Sequence, residues 1–560
     1  MTIELYFSVG KDIEKSNRMR RTIIILLITA APALFAQEVA DQAYWLYFTD
    51  KNNNSFSVNE PYDYLSQRSL ERRGWQNLPV TERDLPVTGT YLDSLRNLGL
   101  EIKHRSKWLN GALVITEDTL LMDTIYTLSF IDSIMWTPNA NNVFYPDTPT
   151  GNRFEPAHTE SPGYRYGFSE EQISIMNLDY LHNKGYTGRG VIIAVLDAGF
   201  IEMDSLTAFD TTYAKNRVLH TKNLVNRLSS VYGDHPHGTY VSSLIVANWP
   251  DTLIGSAPDA QLILATTENV ASETRVEEFA WIEGAEWADS LGADIINTSL
   301  GYTVFDDSLT NHTYEDMDGK TAHISIANSM TADRGMISVT SAGNAGNEEW
   351  YYMGAPADAE NIISAGAVDN SGNIAGFSSR GPTYDSRIKP ELMAMGSGTY
   401  IQGLNGLAQG GGTSFSAPLL SGGVATLWQA YPTMPAKEMI RWLLESGDRY
   451  EEPDTDYGFG IPSFSKAFHA ITPVKVPVSL RNMPVELYPN PTNGELTVRL
   501  AEKMAGNYTI KLMNISGSLI YSQQVILPGT IIFPPDINTG IYIIQISNNK
   551  FIFNSRIIRN

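Results

Sequence analysis

The chain has 560 residues, 42% of them hydrophobic and 18% charged, with a formal net charge of −22 and no cysteine. That length calls for about two to four domains, at least one with a large core. The acidity excludes nucleic acid as a partner and opposes docking on an anionic membrane surface, and the missing thiols exclude disulfides, thiolate metal sites and cysteine nucleophiles.

In chain order, Arg18, Arg20 and Arg21 come first, followed by an apolar run from Thr22 to Phe35 and the small residue Ala36. This is the order of a secretory signal over residues 1–36, with Met19 as an alternative start. An N-terminal anchor helix is the rival reading, although the run is short for a membrane span. Residues 37–150 read as a small α+β unit. Tyr44–Phe48 and Ala112–Thr116 have strand character, while Pro61–Arg73 and Tyr91–Leu98 have helix character. A stretch rich in Pro, Gly, Thr and Ser makes 151–164 a linker.

Residues 165–472 change pattern. Val191–Leu196, Leu262–Leu264, Asp294–Ile296, Ile337–Val339 and Ile362–Val368 are short apolar runs without alternation. Such runs predict parallel strands buried on both faces. The segment Glu277–Leu291 between them reads as a helix closed by Gly292. Alternating strands and helices predict an α/β doubly wound, mostly parallel sheet, with ligand sites at the carboxyl ends of its strands. Residues 473–484 read as a second linker. Residues 485–560 hold about seven short strand candidates with turn signals such as Asn538-Thr539-Gly540, a pattern that predicts a β-sandwich.

Three segments of the central domain carry candidate chemistry. Asp197 ends the first apolar run, His237 stands in His-Gly-Thr-Tyr-Val at a helix start, and Ser414 follows Gly410-Gly411-Gly412-Thr413. Singly, they read as a turn carboxylate, a structural histidine and a helix cap. His235 competes with His237 but precedes Pro236, outside the expected helix.

Taken together, the motifs Ala-Val-Leu-Asp-x-Gly, His-Gly-Thr-x-Val and Gly-Thr-Ser-x-x-x-Pro, in the order Asp, His, Ser, resemble the subtilase family of serine proteases over about residues 175–465. The resemblance implies a secreted serine endopeptidase with Ser414 as nucleophile, His237 as base and Asp197 orienting the base, working through an acyl-enzyme. It makes Asn344, in Ser-Ala-Gly-Asn-Ala-Gly, the oxyanion donor. It also makes Ser299, Leu300 and Gly301 the edge that binds substrate, and Gly255-Ser256-Ala257-Pro258 the turn after the His helix. Phe415 stands where the family often has Met, Ala345 where it often has an acid, and Tyr240 where it often has His. Without an acid after Asn344, the P1 pocket is expected to favour uncharged, apolar residues.

The first unit resembles the propeptide of secreted subtilases, an inhibitor removed on maturation. Tyr488-Pro489-Asn490-Pro491, Asn493-Gly494 and Gly540-Ile541-Tyr542 resemble the type IX secretion sorting domain of Bacteroidetes, with an accessory binding sandwich as the alternative. The implied partners are protein or peptide substrates, the propeptide and the secretion machinery. No cofactor is required. Subtilases often bind structural calcium, and Asp306-Asp307 and Glu315-Asp316-Met317-Asp318-Gly319 offer oxygen ligands, or simply a solvated loop. Two other functions compete: a pseudoprotease kept as a binding module, against which all three triad residues count, and an esterase, whose Gly-x-Ser-x-Gly elbow is absent around Ser414.

Overall fold

The apolar run that ends at Asp197 forms the strand Ile192–Asp197, and every residue in it is buried. In this computed structural model the described residues are 42–138, 164–471, 485–500, 505–514, 519–535, 537–548 and 552–559. The signal segment, the second linker and all but Tyr164 of the first linker lie outside them.

Ile192–Asp197 lies within a seven-stranded sheet. The order is Leu392–Met395, Ile363–Val368, Ile337–Ser341, Ile295–Thr298, Ile192–Asp197, Gln261–Thr266 and Val218–Asn223. All neighbours pair in parallel. Burial on both faces explains the unbroken apolar runs. Ile193 and Val195 enter a core with residues of the helices His237–Val246 and Thr413–Ala430, whereas Ile192, Ala194 and Leu196 pack opposite, with Arg275–Leu291 and His323–Asp333. The sequence reading misses the two edge strands. Val218–Asn223 is half-exposed and polar, as an edge strand can be, and Leu392–Met395 has only four residues.

The helix Arg275–Leu291 starts two residues before its expected onset. Thr274 and Glu277 form a capping box, and Gly292 ends the helix in the left-handed conformation, with φ 92°. It carries much of the contact with the first unit. That unit is an antiparallel sheet ordered Glu101–Ser106, Gly111–Thr116, Gln42–Phe48 and Ile131–Pro138. The expected helix Pro61–Arg73 is instead a 3-10 turn, Pro61–Asp63, followed by the helix Gln67–Trp75, because Ser66 accepts a hydrogen bond from Ser69 N–H and starts a new helix there.

One face of this sheet packs on its own helices through Leu46, Phe48, Leu92 and Leu95. The other face packs on the central domain, where the Trp45 ring stacks on Phe279 at 4.2 Å. Polar contacts seal the rim. The Glu286 carboxylate accepts the backbone N–H groups of Lys107 and Trp108, both at 2.9 Å. Arg72 and Arg73 converge on buried Asp289.

The C-terminal region holds two antiparallel sheets. One joins Glu486–Tyr488, Glu495–Arg499 and Gly529–Ile532, and the other joins Leu519–Leu527, Gly506–Met513, Gly540–Ser547 and Ile552–Arg559. They enclose a core of their own around Leu496, Ile510 and Ile544.

Candidate active site

The strand order reverses between Ile192–Asp197 and Ile295–Thr298. From Ile192–Asp197 the chain goes to the edge strand Val218–Asn223, returns inward to Gln261–Thr266, and then crosses to Ile295–Thr298 on the other side. A crevice opens at the carboxyl ends of strands at such a switch point. Asp197 ends one of these two strands, and Ser299 follows the other.

Asp197 is 1% exposed, and its Oδ1 accepts the backbone N–H of Ala198 at 2.8 Å. His237 is the first residue of His237–Val246, with Pro236 preceding it as N-cap. Its Nδ1 lies 2.8 Å from Asp197 Oδ1. The approach depends on glycine at 238. A Cβ there would lie 2.5 Å from the Gly199 carbonyl and 2.7 Å from the Phe200 ring. His235 stays outside the helix and receives the His237 N–H at its Nδ1, at 3.3 Å. Burial works to lower the His237 pKa, but the charge and hydrogen bond of Asp197 outweigh it and leave the imidazole above its ordinary value.

Ser414 is the second residue of the 18-residue helix Thr413–Ala430. Gly412 precedes that helix with φ 155° and ψ 150°, a conformation open essentially to glycine. The Ser414 hydroxyl donates to the Ser299 carbonyl at 3.1 Å, and Ser299 Oγ donates back to the Ser414 carbonyl at 3.0 Å. Among the described residues it makes no hydrogen bond to His237. The next side chain, Phe415, stacks over His237 with ring centroids 6.3 Å apart. Asn344 Oδ1 accepts from Thr413 N–H at 2.9 Å and from Thr413 Oγ1 at 3.0 Å. These bonds hold the amide beside the helix start and leave its Nδ2 with no acceptor among the described residues.

Two cavities flank Ser299 and Leu300. One, of about 210 Å³, is lined by Ser414, Asn344, Gly301, Ala345, Trp350 and Tyr352 among others, and no charged side chain borders it. The other, of about 200 Å³, holds Asp197, His235 and His237 on one side and Glu268, Glu273 and Glu277 on the other.

Family models match three parts of the chain. The subtilase family model matches residues 188–461, a Bacteroidota peptidase S8 propeptide model matches 43–152, and a secretion system C-terminal sorting domain model matches 486–560. Subtilisin E of Bacillus subtilis is 30% identical over 54% of this chain and 71% of its own length. The chain belongs to the subtilase family. Subtilisin of Bacillus pumilus is likewise 30% identical, over 52% of this chain and 94% of its own length.

Two solved structures share the fold of this subtilase. Fervidolysin from Fervidobacterium pennivorans has TM-score 0.50 and 17% identity, over 92% of this chain and 71% of its own. The epidermin leader peptide processing serine protease of Staphylococcus aureus has TM-score 0.51 and 18% identity, over 77% and 99%. The subtilase is thus a serine endopeptidase made with a propeptide, and its sorting domain directs type IX export to the cell surface or medium.

In the acidic loop the carboxylates bond to nearby backbone. Asp307 accepts Leu309 N–H at 3.0 Å, Asp316 accepts Thr313 N–H at 2.7 Å, and Asp318 accepts Lys320 and Thr321 N–H at 2.8 Å each. No group of three or more His, Asp or Glu side chains placed to hold a metal occurs among the described residues. The sequence reading passed over three features of the subtilase site: the Ser299–Ser414 exchange, the Thr413–Asn344 clamp and the carboxylates of the second cavity. Glu268, Glu273 and Glu277 are spread over a loop and a helix start, and in sequence only the capping role of Glu277 has a signal.

Proposed function

We propose that this subtilase hydrolyses proteins through Ser414, His237 and Asp197. The supporting observation is the His237–Asp197 pair at a strand-end crevice that also receives the Ser414 helix start. A serine hydroxyl is a poor nucleophile until a base takes its proton. In this scheme the Ser414 hydroxyl turns from the Ser299 carbonyl to His237 Nε2, gives up its proton there, and attacks the scissile carbonyl. Asp197 holds the Nδ1–H tautomer and stabilises the imidazolium. Asn344 Nδ2 and the Ser414 backbone N–H receive the oxyanion. In subtilisin, the measured example, loss of such an Asn costs about 10²–10³ in turnover. His237 then protonates the leaving amine, and water, activated by the same imidazole, releases the acyl group from Ser414. The side chains carry every proton, so no cofactor enters the scheme.

The substrate runs along Ser299, Leu300 and Gly301, with its P1 side chain in the uncharged cavity beside Asn344. Trp350, Tyr352 and Ala345 favour uncharged, apolar P1 residues there. The propeptide inhibits until it is removed, and the C-terminal unit engages the secretion machinery. Ser414→Ala tests the core of this reading. Casein hydrolysis should fall on the order of 10⁶-fold, the loss known for a subtilisin triad serine, and fluorophosphonate labelling should vanish. Full activity in that variant refutes the assignment. A peptide library cleaved strictly after Lys or Arg refutes the pocket reading.

A further inference from the structure

Resting on that protease reading, we propose that the cavity beside His237 selects a cationic side chain, Lys or Arg, at P2 of the substrate. Side chains of an extended peptide alternate between opposite faces. If P1 enters the uncharged cavity on one side of Ser299 and Leu300, the next acyl-side residue faces the other cavity, which His237 borders.

Carboxylates dominate that second cavity. Glu268 accepts the Tyr302 hydroxyl and is hydrogen-bonded carboxyl to carboxyl with Glu277. Glu277 also caps the start of its helix by accepting Thr274 N–H at 3.1 Å. The carboxylate of Glu273 has no hydrogen-bond or ion-pair partner among the described residues, and none of the three forms a salt bridge to Lys, Arg or His there. Asp197 borders the same cavity, and its second oxygen is buried without a hydrogen-bond partner.

Buried carboxyls without a counter-ion resist ionisation. Burial raises Glu268 and Glu277, and it pushes Glu273 up to about 7. Two carboxyls in direct contact must share a proton until an opposite charge arrives. An ammonium or guanidinium entering the cavity supplies that charge. An apolar P2 side chain leaves the carboxyls unpaired, and an acidic one adds repulsion. Within the catalytic domain, neighbouring cations pair with two other buried carboxylates of the nearby helix, Glu278 and Glu283, while the propeptide supplies Arg72 and Arg73 to Asp289 and backbone N–H groups to Glu286. This cavity differs in that its own fold supplies none.

The test uses mature enzyme and four fluorogenic peptides identical except for Lys, Arg, Leu or Glu at P2. The ratio of kcat/KM between peptides cancels the protonation of His237. For the wild type, Lys or Arg over Leu should give a ratio of about tenfold or more, with Glu slowest. Glu268→Gln, which keeps an acceptor for Tyr302, combined with Glu273→Gln should bring that ratio near unity. Glu273→Lys, at a half-exposed position, should favour Glu over Lys. Fluorophosphonate labelling certifies that each variant is folded. Equal rates for Lys and Leu in the wild type, or ratios unmoved in labelled variants, overturn the inference and leave the protease reading intact. A wild type that cleaves no peptide and takes no label overturns both.

Discussion

His237 is subject to two opposing influences, and in the proposed scheme their balance sets the working pH. Burial favours the neutral ring, Asp197 favours the cation, and the net shift is upward. A general base must be neutral to accept a proton, so activity is absent while the ring is protonated. The kcat/KM profile should therefore rise with pH through a midpoint above the ordinary imidazole value of about 6.5. A midpoint at or below that value would contradict the Asp197 pairing. Phe415, stacked on this ring and 7% exposed, carries a second prediction. A thioether there would oxidise to a polar sulfoxide against the His237 imidazole, which a phenyl ring cannot do. Peroxide should inactivate Phe415→Met several-fold faster than the wild type. Equal inactivation rates would place the damage at another methionine. Both residues stand in motifs that the sequence reading singled out. The Ser299–Ser414 exchange was not, because it joins residues 115 positions apart.

At the level of elements, the helix Arg275–Leu291 serves both the site and its inhibitor. Its N-terminal turn supplies Glu277 to the cleft, and its later turns present Glu283, Glu286 and Asp289 to the propeptide. The interface also buries a histidine from each side. His104 of the propeptide lies 2.9 Å from Glu283, and His323 of the catalytic domain meets the Tyr47 hydroxyl. Burial lowers both pKa values. Once the two units part, each ring regains a value near 6.5. Below that pH the separated units bind protons that the complex does not. Binding is then full above about 6.5 and weakens as pH falls, by up to about tenfold per histidine per pH unit. Titrating Ser414→Ala catalytic domain with isolated propeptide between about pH 7.5 and 5.5 measures this. Affinity unchanged over that range would contradict it. The spacing of these carboxylates is plain in sequence, but their partners come from a separate sheet and appear only in the fold.

At the level of the molecule, the cores are separable. The C-terminal core draws only on residues from 485 onward, and every proposed catalytic residue precedes it. Truncation after about residue 475 should therefore leave peptidase activity in lysates while stranding the protein in the periplasm. Normal arrival of the truncated chain at the surface or medium would refute the sorting role. Loss of activity would show that the catalytic core needs the last unit.

Periodicity carried the fold class and the internal strands, and the resemblance of three motifs to subtilases marked Asp197, His237, Ser414 and Asn344 as candidates. This follows from local physics. A strand buried on both faces must be apolar throughout, and a nucleophile at a helix start needs glycine before it. Only the tertiary structure decided the edge strands, the propeptide face and the chemistry of the two cavities. The edge strand Val218–Asn223 lacks the burial that writes a pattern and looks like a loop, and Leu392–Met395 is buried but only four residues long. The charge of a cavity depends on which distant side chains share it and on which of them find a counter-ion. For Glu283 and Asp289 the fold supplies cations, and for Glu268, Glu273 and Glu277 it does not. One stretch of acidic sequence thus becomes two surfaces with different chemistry.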